Sequence, residues 1–369
     1  MAADKKPTVA ANKKPWCRTP LIESANLSKT AGCKILLKLE NLQPAGSFKS
    51  RGIGNYNISA LQHASHTEKV HFYSSSGGNA GLACVHAANF LGRPSTVVVP
   101  LSTKPMMIVK IKAAGASEVV QHGASWKEAD TYLRDVVIRQ AEKKGEEGVY
   151  VPPFDHEDIW AGNATLIDEV DEQMQEMSDG APDVVVCSVG GGGLFNGVVQ
   201  GVEARKDWQT TVLAMETEGA HSLAQSLAKD EHITLPGITS LATGLGATRV
   251  SERCLDLARK HRESGKVRSV VFSDAEAAMG CWRFADDERI LVELACGVNT
   301  ALCYGGRLEK ALGRPVKKDE KVVIVVCGGQ DVTAQMVEEW RQQFGDLDKD
   351  ARNGHMAEVP SAATAPNGA

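Results

Sequence analysis

Along the chain, short continuous apolar runs alternate with longer segments of mixed polarity. The runs KVHFYSS (69–75), STVVVP (95–100), SEVVQHG (117–123), DVVVCSV (183–189), TVLAMET (211–217), SVVFS (269–273) and KVVIVVCGG (321–329) are rich in β-branched residues and predict strands. They are continuously apolar rather than alternating, so they predict burial on both faces and a parallel arrangement covered by helices. Helical spacing falls between them, at 79–91, 104–114, 125–143, 194–205, 274–285 and 331–344. The fold class expected is α/β, with two open, mostly parallel twisted sheets flanked by helices.

The first group of βα units ends where YVPPF (150–154) interrupts the pattern with two prolines. This predicts a small domain at 43–151 and a large domain built from 14–42 plus 152–345. Ligands of such folds bind in the cleft at the carboxyl ends of the strands. Residues 1–13 and 346–369 lack periodicity and are expected to be disordered tails.

No apolar run approaches the roughly 20 residues of a membrane helix. A formal net charge of −5 disfavours a nucleic-acid surface. The basic N-terminus has no apolar core, so it is not a secretory signal, and Asp4 with no arginine nearby disfavours a mitochondrial leader. The nine cysteines are odd in number, lack any CxxC spacing and lie partly in apolar runs. That usage suits packed thiols in a reducing, cytoplasmic compartment rather than disulfides or a zinc site.

The stretch NLQPAGSFKSRG (41–52) places Lys49 directly after a Pro-Ala-Gly-Ser turn and beside Phe48. A solvated lysine needs no such setting, whereas a lysine doing covalent chemistry does. Arg51 in the same stretch reads equally well as structural or catalytic. DVVVCSVGGGGLFNG sets Gly190, Gly191, Gly192 and Gly193 between a strand and a helix. Backbone N–H groups without neighbouring Cβ atoms make an anion site suited to phosphate. Glu216, near the end of the next strand, leaves a nicotinamide-dinucleotide reading open, with the acid on a ribose, although the glycines lack that fingerprint's spacing. FYSSSGGNAG brings Ser76, Gly77, Asn79 and Ala80 to a helix start, suited either to a carboxylate or to a plain serine cap. VVIVVCGG ends in Cys327, which reads as a core thiol or as a weak neutral hydrogen-bonding group facing the cleft.

One lysine, one carboxylate nest and one phosphate nest together fit pyridoxal phosphate, whose aldehyde a lysine captures and whose amino-acid substrate brings a carboxylate. The chain resembles the serine/threonine dehydratase group of the tryptophan-synthase-β-like, fold type II pyridoxal-phosphate enzymes. The resemblance runs from RTPLIESANLSK (18–29) to VVCGGQDVTAQM (325–336), with ENLQPAGSFKSRG, SSSGGNAG, SVGGGGLFNGVVQG and CGG in the family's order. PPFDHEDIWAG (152–162), METEGAHS (215–222) and LPGITSLATGLGA (235–247) are similar to the liver and fungal branch that acts on L-serine.

The resemblance implies a set of roles. Lys49 forms the internal Schiff base with the cofactor and later takes the substrate's α-proton. Phe48 and Gly244 lie against the two ring faces, and Cys327 faces the ring nitrogen. Gly190 to Gly193 bind the phosphate, which also serves as the acid for the departing hydroxyl. Ser76, Gly77, Asn79 and Ala80 bind the substrate carboxylate, with Asn79 also reaching the cofactor's ring oxygen. Glu216 and the carbonyls of Ala220, Leu245 and Ala247 hold a monovalent cation, potassium. The small domain then binds substrate, the large one binds cofactor, and the assembly is a homodimer.

The implied reaction is β-elimination of L-serine to pyruvate and ammonia, with L-threonine to 2-oxobutanoate as a secondary activity. Threonine dehydratase and serine racemase are the alternatives within the group, and a silent cofactor binder is the alternative outside catalysis. Gly77 stands where the racemases carry a serine. It predicts elimination without racemisation, and spare room in the pocket. Leu294, Gly244 and the Gln330-Asp331 pair depart from the family's usual proline, alanine and Ser-Asn.

Overall fold

The computed structural model describes residues 13–347. The two expected tails therefore fall almost wholly outside the described residues. Among the described residues, ten strands form two sheets. They are β1 (Leu21–Glu23), β2 (Lys34–Lys38), β3 (Val70–Ser74), β4 (Ser95–Val99), β5 (Glu118–Gln121), β6 (Glu147–Tyr150), β7 (Val184–Ser188), β8 (Thr211–Thr217), β9 (Val267–Phe272) and β10 (Lys321–Val325). The larger sheet runs β1-β2-β10-β7-β8-β9 and the smaller β5-β4-β3-β6. Every pairing is parallel except β1 with β2.

β1, β2 and β6 were not anticipated. β1 and β6 span three and four residues, too few to show a period, and KILLK in β2 reads equally well as helix. The seven expected strands are all present: β8 has the expected bounds, β9 begins two residues earlier than expected, and the others are trimmed. β7 is buried at every position, as a parallel strand covered on both faces must be. Among the described residues, no helix is long and apolar enough to cross a membrane.

Three helices position the chemistry: Lys49–His63, Glu157–Glu176 and Gly193–Glu203. The first and third pack on the middle one through glycines. A Cβ on Gly162 would lie 2.5 Å from the Arg51 carbonyl, and one on Gly197 would lie 2.5 Å from Asn163 Cβ. A Cβ on Gly52 would reach Ile159 at 2.8 Å. Side chains at these sites would force the helices apart. Because Lys49 and Gly193 each begin a helix, these contacts set the distance between the lysine and the glycine loop.

Candidate active site

Lys49 is aimed by backbone bonds to the segment leaving β10. Asn41 N–H donates to Val326 O at 3.0 Å, Phe48 N–H to Cys327 O at 3.2 Å, and Gly329 N–H to Gly46 O at 3.0 Å. Gly46 turns the chain with φ +76°. Lys49 is the first residue of its helix, and its Nζ donates to Pro153 O at 2.5 Å. Burial lowers its pKa to about 8, against an opposing pull from Glu293. The positive end of the helix acts in the same direction as burial. A lysine so depressed readily yields a neutral amine near physiological pH. The Phe48 ring lies 5.4 Å from Nζ and is half-buried.

Arg51 proves to be a structural anchor. Its side chain is 0% exposed, as is that of Glu40. Nε and Nη2 donate to the two Glu40 oxygens, both at 2.7 Å, while Nη1 and Nη2 donate to Glu169 at 2.7 and 2.6 Å. Lys38, also buried, donates to Glu169 at 2.7 Å. Burial opposes the arginine's charge, but the two carboxylates outweigh it and raise its pKa. The network ties the start of the Lys49 helix to the end of β2 and to the Glu157–Glu176 helix.

Gly190 to Gly193 follow β7 as a loop into a helix. The carbonyls of Gly191, Gly192 and Gly193 accept from Ser251 N–H, Asn196 N–H and Asn163 Nδ2. By contrast, the N–H groups from Gly190 to Phe195 have no partner among the described residues. A Cβ on Gly191 would lie 2.4 Å from the ring carbons of Phe154, and one on Gly193 would lie 2.7 Å from the Phe154 carbonyl. Gly192 has φ +95°, and a Cβ there would sit 2.5 Å from Cys254. The four glycines are thus required by packing as well as by the exposed row of donors. Phe154 has no counterpart in the sequence reading. It borders the loop while its neighbour Pro153 accepts from Lys49.

The serine-glycine turn after β3 is divided in role. Ser75 is buried and donates to Asp130 at 2.7 Å, so it holds the turn in place. Ser76 Oγ accepts from Gly78 N–H at 3.3 Å. The N–H groups of Gly77, Asn79 and Ala80 have no partner among the described residues and open the Asn79–Phe90 helix. Asn79 reaches across the cleft: Nδ2 donates to Glu293 Oε1 at 2.9 Å, and Oδ1 accepts from Gln330 N–H at 3.0 Å. Gly77 does not leave the room expected of it. A Cβ there would lie 2.7 Å from Thr103 Cγ2 and 3.3 Å from Val99 Cγ1.

Glu293 is the principal residue that sequence reasoning missed. Its carboxyl sits where side chains on both Gly244 and Gly329 would collide with it; a Cβ on Gly244 would be 2.7 Å from Oε1. Burial raises its pKa to about 7, partly offset by the Asn79 bond. The only sequence signal was a lone acid immediately before the apolar run LACGV. Cys327 is buried, with Sγ 3.6 Å from Ser188 Oγ and 3.8 Å from Ala295 O. Its neighbour Cys296 and its burial raise its pKa, so the thiol is neutral. Glu216 is fully buried and accepts from the N–H groups of Leu223 and Ala224, both at 2.8 Å, at the start of the Ser222–Lys229 helix. Burial pushes its pKa up to about 8. Ala220 and Leu245 are buried; Leu245 O accepts from Ala247 N–H at 2.7 Å, and Ala247 O accepts from Ser222 Oγ at 3.2 Å.

A family described as pyridoxal-phosphate dependent enzyme matches residues 13–328. The chain belongs to that family. An L-serine dehydratase of Saccharomyces cerevisiae (strain AWRI1631) is 42% identical over 324 residues, covering 86% of this chain and 94% of the relative. A serine dehydratase-like protein of Rattus norvegicus is 42% identical over 329 residues, covering 88% and 94%. The crystal structure of a fungal L-serine ammonia-lyase from Rhizomucor miehei superposes with a TM-score of 0.80 at 32% identity, covering 90% of this chain and all of that one. The site's own chemistry fits the cofactor. A row of unpaired N–H groups at a helix start suits a phosphate dianion, and a buried amine of lowered pKa suits an aldehyde. The dinucleotide reading is set aside with this family, and with it the ribose role of Glu216.

Proposed function

We propose that the enzyme deaminates L-serine to pyruvate and ammonium by β-elimination, and that it converts L-threonine to 2-oxobutanoate as a secondary activity. The observation that carries this is 42% identity to an L-serine dehydratase across 86% of the chain. The cleft supports it by placing a depressed lysine, a row of donors for phosphate and a second nest for carboxylate at the ends of β10, β7 and β3.

When bound, the cofactor supplies an aldehyde that takes up the substrate amine and a ring that accepts the charge left by a departing proton. Lys49, whose amine burial favours in the neutral form, would hold the cofactor and would serve as the base for the substrate's α-proton. The N–H groups of Gly190, Gly191, Gly192 and Gly193 bind the phosphate. Ser76 and the N–H groups of Gly77, Asn79 and Ala80 orient the substrate carboxylate. Phe48 and Gly244 would border the faces of the cofactor ring, and Cys327 would offer its nitrogen a neutral thiol. The Asn79 amide, held by Glu293 and Gln330, ties the substrate nest to the large sheet. Glu216 with the carbonyls of Ala220, Leu245 and Ala247 holds a monovalent cation. In support, Glu216 is a buried carboxyl with no cationic side chain as partner among the described residues, a setting that calls for a proton or a bound cation. A homodimer in a reducing cytoplasm completes the proposal. Eight of the nine cysteines are buried and all are free, which supports the compartment.

The test is direct. Purified enzyme should be yellow, and borohydride should fix the cofactor's mass to the peptide carrying Lys49. Keto acid is then measured from L-serine and L-threonine. No keto acid from either would sink the deamination reading, and D-serine formed as fast as pyruvate would replace it with racemisation.

A further inference from the structure

The turn after β4 presses on the substrate nest from behind. Thr103 N–H donates to Pro100 O at 3.0 Å, closing that turn. The next residue, Lys104, pairs with Asp331 at 2.7 Å, and Lys110 in the Pro105–Ala113 helix donates to Gln330 O at 2.5 Å. Gln330 in turn donates its N–H to Asn79 of the nest. Thr103 is thereby held from both sides, by its own turn and by the anchored helix that follows.

A Cβ on Gly77 would lie 2.7 Å from Thr103 Cγ2 and 2.9 Å from Thr103 Oγ1. The two γ atoms fill two of the three staggered positions on the threonine Cβ. Any other rotamer leaves at least one of the two positions facing Gly77 occupied. Rotation therefore cannot clear the contact, and the β-branch acts as a fixed wall behind the Gly77 backbone.

We propose that Thr103 is a positioning residue for the substrate. Its two γ atoms, packed on Gly77, fix the turn that presents the N–H groups of Gly77, Asn79 and Ala80, and it does this by shape rather than through its hydroxyl. The proposal rests on reading that turn as the carboxylate site.

The test compares holoenzyme variants Thr103→Val, Thr103→Ser, Thr103→Gly, Gly77→Ala and the double Gly77→Ala/Thr103→Gly. KM and kcat are measured with L-serine, and melting temperature is measured without substrate. Thr103→Val keeps both γ heavy atoms, so KM should stay within about twofold of wild type; Thr103→Gly should raise KM about tenfold with kcat changed by less than about threefold. Gly77→Ala should lower the melting temperature by ~3 °C or more, and adding Thr103→Gly should recover at least about half of that loss. The proposal is overturned if Thr103→Ser keeps the wild-type KM while Thr103→Val does not, since the hydroxyl would then be the active feature. It is also overturned if Thr103→Gly leaves KM unmoved, or if the Gly77→Ala loss is the same in both backgrounds. The melting cycle needs no turnover. It therefore separates failure of this contact from failure of the serine reading, which would appear as a wild type that releases no pyruvate.

Discussion

Replacing Arg51 with methionine tests whether a buried ion network holds the reactive lysine in place. The substitution keeps an unbranched side chain but removes four charge-assisted hydrogen bonds of 2.6–2.7 Å. It strands Glu40, which is 0% exposed and among the described residues retains only the Thr19 hydroxyl and the Gln43 amide as partners. Removing one partner of a buried ion pair costs about 3–5 kcal/mol, mostly because the other charge is left uncompensated. At roughly 2 °C per kcal/mol for a chain of this size, the melting temperature should fall by about 6–10 °C. The diagnostic measurement is a double-mutant cycle with Glu40→Gln, read by urea unfolding of the cofactor-free protein. Because glutamine removes the stranded charge, Arg51→Met/Glu40→Gln should be more stable than Arg51→Met by at least about 1 kcal/mol. In the holoenzyme, the Arg51→Met variant should also hold its cofactor less tightly, since the first turn of the Lys49 helix is no longer tied to β2. Additivity within about 0.5 kcal/mol, or a loss under about 1 kcal/mol for Arg51→Met alone, would refute the reasoning.

Further outcomes follow from the same geometry. Glu293→Gln removes a negative neighbour that favours the Lys49 ammonium, so the lysine's pKa should drop below about 8 and cofactor uptake should reach its plateau at lower pH; an unmoved profile would uncouple the two groups. Potassium at about a hundredfold excess over its Kd should stabilise the wild type by ~2.7 kcal/mol relative to a bulky organic cation, and Glu216→Gln should abolish the difference. Equal melting points in the two salts would remove the cation proposal. Cys327→Asp would set a carboxyl beside Ser188 and Ala295 O where a neutral thiol now stands. It should change the holoenzyme's visible spectrum and increase side products relative to pyruvate, and an unchanged spectrum would deny Cys327 its place at the ring nitrogen.

What the chain itself determined follows from local rules. Continuous β-branched runs separated by helical spacing predicted buried parallel strands; the structure shows all seven as parallel strands, but β5 and β9, at the edges of their sheets, are not buried along their length. Glycines at strand ends, with a lysine after a tight turn, marked the ends of β10, β7 and β3 as the chemical edge of the sheets. Short elements escaped notice because three or four residues carry no period, as in β1 and β6. The Lys49–His63 helix escaped because Gly52 and Gly54 dilute its pattern, although Gly52 is needed for the close approach to Ile159.

The tertiary structure decided what depends on partners far apart in sequence. Arg51 looked ambiguous until Glu40 and Glu169 closed around its guanidinium. Glu293 drew no reading from the sequence; only the fold brings Gly244, Gly329 and Asn79 onto its carboxyl. Gly77 suggested an open pocket, yet the missing Cβ only admits Thr103. Spacing along a chain reports which face a residue occupies, whereas the burial that moves a pKa and the contact that fills a void arise only when distant segments pack together.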